Sequence, residues 1–274
     1  MDIFKKSMEY KVSAATTLFR LYIDYLTIDL SNFFRNDSNR GRNIQVILSF
    51  MDILLDIALI DVFGQTLLED NKKELKLLED FIGDFLATGR NLKKIKKRNI
   101  DALCVTKILK DEDLFNLFME AKFAGNYFRE VSKKPYMKDF KQYCNSEKPK
   151  GFTQSVLELH NALSHLAIFL LQGDQSDLFN NIDKAKNHIY RSILDYYKIM
   201  IRFSINEIQK KDLLTQSFYS IREQEFLFLG QDLKLKKINF FNPQNQLTEE
   251  IDIIKAYKIL FKTIDNILDP NNLI

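Results

Sequence analysis

The chain has 274 residues, enough for one large domain or two modest ones, and contains only 8 glycines and 4 prolines. That scarcity, set against roughly 12% Gly plus Pro in average usage, excludes turn-rich β-sandwiches and barrels, collagen-like repeats and flexible linkers, and it predicts long helices. Hydrophobic residues at 46% with charged residues at 28% exclude disorder, and a net charge of +3 points to no particular partner by itself.

Residues 8–34 read as one amphipathic helix with a thin polar stripe at Ser13, Thr17, Arg20, Asp24, Thr27 and Ser31. Most of its circumference is apolar, so Leu18, Phe19, Tyr22, Ile23 and Leu26 are expected to meet neighbours on several sides. A second helix over 43–68 repeats the pattern with a stripe at Gln45, Ser49, Asp52 and Asp56. Its stretch 44–63 is the most membrane-like in the chain, but it carries Asp52, Asp56 and Asp61. Each central acid costs about 2.5–3.5 kcal/mol on insertion, so no membrane span is expected. Asn71-Lys72-Lys73-Glu74 has the spacing of a capping box opening a third helix, which Gly89 would stop.

A basic helix is expected over 90–110, then a helix capped by Asp111 and running to Val131. Ser132-Lys133-Lys134-Pro135 and Glu147-Lys148-Pro149-Lys150-Gly151 bracket the best boundary in the chain. The domains are therefore expected as 1–131, an N-terminal bundle with the basic segment, and 150–274, a C-terminal hairpin region packed with the first as one unit. Ser155-Val156-Leu157-Glu158 opens a helix to about Gly173, and a long helix over 177–209 returns beside it as an antiparallel hairpin. Residues 212–229 read as helix. Phe226 to Leu229 and Leu233 to Leu235 also alternate about Gly230, which allows a small β-hairpin near 226–238. Thr248-Glu249-Glu250 is expected to start the last helix and Asp269-Pro270 to end it. The fold class is all-α, a bundle of about eight to ten helices with long antiparallel hairpins and at most one small β-hairpin.

Charge is unevenly placed. Residues 1–89 carry 10 basic and 14 acidic side chains, 90–150 carry 16 and 8, and 151–274 carry 14 and 15. The densest run is Arg90, Lys93, Lys94, Lys96, Lys97 and Arg98. On a helix Arg90, Lys94 and Lys97 share a face, which suits RNA or DNA phosphates, with Lys107 and Lys110 extending the field and Tyr127, Phe128 and Tyr136 available for base stacking. Lysines do not read bases, so such binding is expected to follow the backbone without sequence preference. The plainer expectation is a solvated helix face meeting acidic neighbours.

All three histidines, His160, His165 and His188, fall in the hairpin. His160 and His165 are five apart and do not converge on a metal, and no Glu-x-x-His pairs with the acids at 24, 29, 52 and 56, so no metal site is expected. His160 shares the apolar face and is expected to hydrogen-bond a neighbour from the core. His188 joins Lys184, Arg191, Asp195, Lys198 and Arg202 in a stripe where Arg191 and Asp195 can pair. With a turn near 174, Glu158 lies opposite residue 191, and Glu158, His188, Arg191 and Asp195 form a candidate polar network, structural or catalytic. Phosphate loops, nucleophile elbows and close-spaced cysteine pairs are missing from the sequence, and no cofactor is expected.

The 155–205 hairpin, with its His, Arg, Tyr196 and Tyr197, resembles helical nucleotide-binding or RNase domains of bacterial toxin and defence systems. It departs from them in having no Arg four to six residues before a His, which implies a non-catalytic binding partner. Two cysteines, Cys104 and Cys144, provide no disulfide framework and fit a reducing cytoplasm. The leading expectation is a cytoplasmic interaction scaffold, a subunit of a larger prokaryotic complex or an oligomer, taking a protein partner and contacting nucleic-acid backbone through 90–110. The alternative is a nucleic-acid-acting enzyme using Glu158, His188, Arg191 and Asp195.

Overall fold

The computed structural model describes residues 2–35, 40–88, 99–137, 150–172, 180–208, 212–227 and 237–269. Among these residues the chain is all-α apart from one two-stranded sheet. The helices are α1 (Asp2–Arg35), α2 (Arg40–Thr88), α3 (Ala102–Leu109), α4 (Glu112–Val131), α5 (Lys150–Gln172), α6 (Asn181–Ile205), α7 (Asp212–Leu227) and α8 (Ile253–Leu268). A 3₁₀ turn spans Pro135–Met137, and strands β1 (Lys237–Asn242) and β2 (Leu247–Asp252) pair antiparallel between α7 and α8 in the chain. No helix among the described residues is long and apolar enough to cross a membrane. The chain forms two compact units, residues 1–119 with 159–188 and residues 120–158 with 189–274.

In the first unit, the nearly all-round apolar helices behave as their patterns require. Leu18, Phe19, Tyr22, Ile23 and Tyr25 of α1 are buried, as are Phe50, Leu54 and Ile57 of α2. The Tyr22 ring meets Phe50 edge-on at 5.1 Å between centroids, a favourable aromatic geometry. Its hydroxyl donates to the His160 carbonyl at 2.9 Å and lies 3.0 Å from the His160 Nδ1 and 2.8 Å from the Ser164 Oγ. The neighbour that His160 meets is thus Tyr22, 138 residues away in sequence. Substituting Tyr22 by Phe keeps the ring and removes these bonds. The expected loss is about 1 kcal/mol, read as a lowered urea midpoint with an unchanged slope.

α2 is helical across the position where the sequence suggested a break, and the capping box at Asn71 does not form. Asn71 is fully buried instead, its amide donating to the Ile53 carbonyl at 3.3 Å and its oxygen facing the Tyr10 hydroxyl at 3.4 Å. Eighteen residues of straight helix would separate Ile53 and Asn71 by about 27 Å. The span therefore folds back between them, and the stretches on either side of the bend run side by side. The buried Lys11 donates to the Ala58 carbonyl at 2.9 Å, placing a cation near the negative end of the first stretch.

The helix expected over 90–110 starts only at Ala102: residues 99–101 are not helical, and Asp101 caps α3, its side chain accepting from the Leu103 amide at 2.9 Å, so a fresh helix start replaces a continuous basic helix. α4 is capped as expected by Asp111, which accepts from the Leu114 amide at 3.0 Å. The same carboxylate pairs with the buried Lys186 at 2.6 Å.

In the second unit, α8 is the most enclosed element described, with Ile253, Ala256, Tyr257, Leu260, Phe261 and Ile264 inaccessible. The hairpin forms beyond the alternation seen at 226–238: residues 226 and 227 are helical and 228–236 lie outside the described residues. Thr248-Glu249-Glu250 does not start the last helix, because these residues pair with Phe241, Phe240 and Asn239 in β2. Asp252 caps α8 in their place, accepting from the Ile254 amide at 2.8 Å and the Lys255 amide at 3.2 Å. Ile238, Phe240 and Ile251 turn inward, so packing under one sheet face overrode the helical propensity of the acids. Gln224 of α7 clamps β1 by both amide atoms, accepting from the Asn239 amide at 2.9 Å and donating to its carbonyl at 3.0 Å.

Candidate functional site

The six basic residues Arg90, Lys93, Lys94, Lys96, Lys97 and Arg98 lie outside the described residues. Lys107 and Lys110 are exposed at the end of α3. The aromatic residues considered for stacking are otherwise engaged. Phe128 is buried, and the Tyr127 ring packs edge-on against Phe261 at 5.4 Å. The hydroxyls of Tyr127 and Tyr136 both donate to Asp265, the former at 3.1 Å.

The hairpin residues divide into two groups. In the first unit, His188 stacks on His165 with centroids 5.1 Å apart and planes 19° apart, and the His165 Nδ1 lies 3.1 Å from the Asn181 Oδ1. Burial lowers the His165 pKa from its ordinary value, His188 and Lys184 lower it further, and the Asn181 bond opposes them. The sign follows directly. The unfolded chain binds this proton more readily, so the histidine's contribution to stability is complete above the ordinary value near 6.5 and fades as pH falls through it. His165→Gln is expected to shrink the drop in melting temperature between about pH 7.5 and about pH 5.5. An unchanged drop would show that the stack is indifferent to charge.

In the second unit, Glu158 is buried and accepts from the Gln154 amide at 3.1 Å. Asp195 pairs with Lys198 at 3.4 Å rather than with Arg191, which is exposed. Burial raises the Asp195 pKa; Lys198 works against this, while Glu158 and Glu225 add to it. Of the four candidate network residues, Glu158 and Asp195 are thus electrostatically coupled, Arg191 points to solvent, and His188 is engaged with His165.

Two carboxylate centres escaped the sequence reading. Glu225 is buried and receives Lys198, Arg222 and the Tyr257 hydroxyl, each at 2.7 Å. Burial alone would raise its pKa, but Lys198, Tyr257 and Arg222 together hold it below the usual glutamate range. Asp265 is likewise buried and accepts from Lys134 Nζ at 2.5 and 2.8 Å as well as from the two tyrosines. Burial, followed by the adjacent Asp265, pushes both tyrosine pKa values well above the ordinary phenol range, so these hydroxyls remain donors. In both centres the partners saturate the carboxylate, which makes each a structural lock. Among the described residues no group of three or more His, Cys, Asp or Glu side chains is placed to hold a metal ion.

α7 offers a different kind of feature. Tyr219, Phe226 and Leu227 are 65%, 70% and 65% exposed. Tyr219 and Phe226 are seven residues apart, so they share one azimuth about 10 Å apart along the helix, with Leu227 beside them. No protein family, curated protein or solved structure matches the chain.

Proposed function

We propose that the protein is a non-catalytic helical scaffold, an interaction subunit of a larger cytoplasmic assembly that takes a protein partner on the outward face of α7. The observation that carries this reading is the exposed row of Tyr219, Phe226 and Leu227. Isolated exposed apolar residues are ordinary, but two aromatics and a leucine on one helical face match the residue types that anchor interfaces. The buried polar centres are consumed by internal contacts and hold the scaffold rigid rather than presenting reactive groups. Contact with nucleic-acid backbone through 90–110 remains part of the proposal, resting on the run of Arg90, Lys93, Lys94, Lys96, Lys97 and Arg98.

The test is a quantitative co-purification from the native host with wild type and the Phe226→Asp, Leu227→Asp double variant. A stoichiometric partner lost only in the variant supports the scaffold. A partner retained at full stoichiometry by a folded variant removes α7 as the docking face. A second reading, a nucleic-acid-acting enzyme, draws support from the raised pKa of Asp195 beside Glu158, a trait of general acids. RNA cleavage abolished by both Asp195→Asn and His188→Ala, with helicity intact, would favour it over the scaffold.

A further inference from the structure

We infer that the outer edge of β2 is a docking site, separate from the α7 face and independent of it, which takes an extended peptide as a third, antiparallel strand with a lysine or arginine opposite Glu250. The hairpin register pairs Asn239 with Glu250 and Phe241 with Thr248. Gln224 bonds both the amide and the carbonyl of Asn239, at 2.9 and 3.0 Å, so these backbone groups point away from β2. Backbone direction alternates along an antiparallel pair. Ile238 with Ile251 and Phe240 with Glu249 are therefore the hydrogen-bonded pairs, and the amides and carbonyls of Thr248 and Glu250 point outward from β2.

The two edges of the sheet differ. On β1 the Gln224 amide stands in for a neighbouring strand, whereas on β2 no further strand follows among the described residues, and Thr248 and Glu250 are exposed. A row of outward donors and acceptors at strand spacing is matched by another extended chain. Charge then selects which chain. Glu249 is tied to Asn245 and Asn242, and Asp252 accepts from Tyr190 and caps α8. Glu250 has no such partner among the described residues and stands opposite the neutral Asn239. A second copy fits poorly. The antiparallel registers that use both Thr248 and Glu250 set Glu250 against Glu250 or Glu249 against Glu249, and like charges directly opposite destabilise a strand pair. A foreign strand with a cation at that position gains a cross-strand pair instead. Its alternate residues fall on the side of Leu247, which is 61% exposed, and β-branched apolar side chains suit that side.

The probe is the end-capped peptide Thr-Lys-Val-Lys-Val-Lys-Thr, with a counterpart bearing glutamate at every lysine, titrated into the isotopically labelled full chain and followed by amide NMR at physiological salt. The lysine peptide is expected to saturate at one per chain and to shift the Thr248 and Glu250 amides, with the glutamate peptide weaker by about fivefold or more. In this pairing the lysine opposite Glu250 turns its own N–H toward β2, and the valines turn theirs away. N-methylation of the lysines should therefore abolish binding, and N-methylation of the valines should leave it. Thr248→Pro removes an outward donor without touching the β1 ladder and should weaken the lysine peptide about fivefold. Glu250→Lys should weaken it similarly and strengthen the glutamate peptide, a reversal that general stickiness does not produce. Unchanged amide shifts outside the hairpin verify that both variants fold. Equal binding of the two peptides, equal effects of the two N-methylations, no effect of Thr248→Pro, or no saturable binding up to about 1 mM would overturn the inference. Sedimentation showing a wild-type dimer that Thr248→Pro dissociates would also overturn it, assigning the edge to a second copy. None of these variants alters residues 219–227, so the α7 reading stands or falls separately.

Discussion

Asp265→Ala is expected to destabilise the protein by about 3–5 kcal/mol, the range seen when one member of a buried ion pair is removed. The carboxylate side chain is 5% exposed and its partner Lys134 20% exposed. Removing it takes the carboxylate from an ammonium and from two phenolic donors, Tyr127 and Tyr136, at the packed side of α8. Lys134 also approaches Asp269 at 3.5 Å, which retains part of the attraction and places the estimate within the range rather than above it. Lys134→Met leaves the carboxylate with its two tyrosine donors and is expected to cost less. The double variant should fall short of the summed single losses by about 0.5–3 kcal/mol, because the two residues share one interaction. Urea denaturation of the four proteins measures the cycle. A single-variant cost under about 1 kcal/mol would mean that water reaches the site and that Asp265 is not a lock.

The contrast between what the sequence made legible and what it hid follows the range of the interactions. Apolar spacing is a local property, so α1, the α5–α6 hairpin and the cap at Asp111 were readable from three- and four-residue steps. The Asp265 centre joins residues 129 to 138 apart and the Glu225 centre residues up to 32 apart, and no spacing rule connects positions so distant. Asn71 shows the same limit from the other side. Its local sequence has capping chemistry, but the fold-back of α2 brings Ile53 and Tyr10 to its amide, and a fully buried amide is held by whichever partners desolvate with it. Thr248 to Glu250 have the local signature of a helix start and become a strand because Ile251 and Phe240 are needed on the inner sheet face. The charged stripe of α6 was legible as a stripe, whereas its pairing was not. Lys198 lies three residues from Asp195 on the same helix, but the strong contact it makes is to Glu225 on α7, which draws the lysine and leaves Arg191 in solvent.

That competition yields the second large expected effect, in acid. Glu225 is held below its ordinary pKa despite burial, so the folded state binds its proton less readily than the unfolded chain. Its contribution is present above the ordinary glutamate value, near 4.5, and is lost as pH falls through the depressed folded value. Asp195 has the opposite sign. Its pKa is raised, so its ionised form costs stability at neutral pH, and that cost disappears as pH falls through the raised value toward 3.8. Glu225→Gln is expected to lose about 1–3 kcal/mol at neutral pH, since it removes the buried charge that Lys198 and Tyr257 meet while Asp195 keeps hold of Lys198 and the half-exposed Arg222 is solvated, and to flatten the loss of stability below about pH 4.5. Asp195→Asn should instead stabilise at neutral pH and steepen the acid limb, because it removes the compensating group. Equilibrium unfolding of the three proteins from about pH 7 to about pH 3 separates the two contributions. Parallel curves for wild type and Glu225→Gln below pH 4.5 would show that the acid response arises elsewhere, and a destabilised Asp195→Asn at neutral pH would show that its bond to Lys198 outweighs its burial.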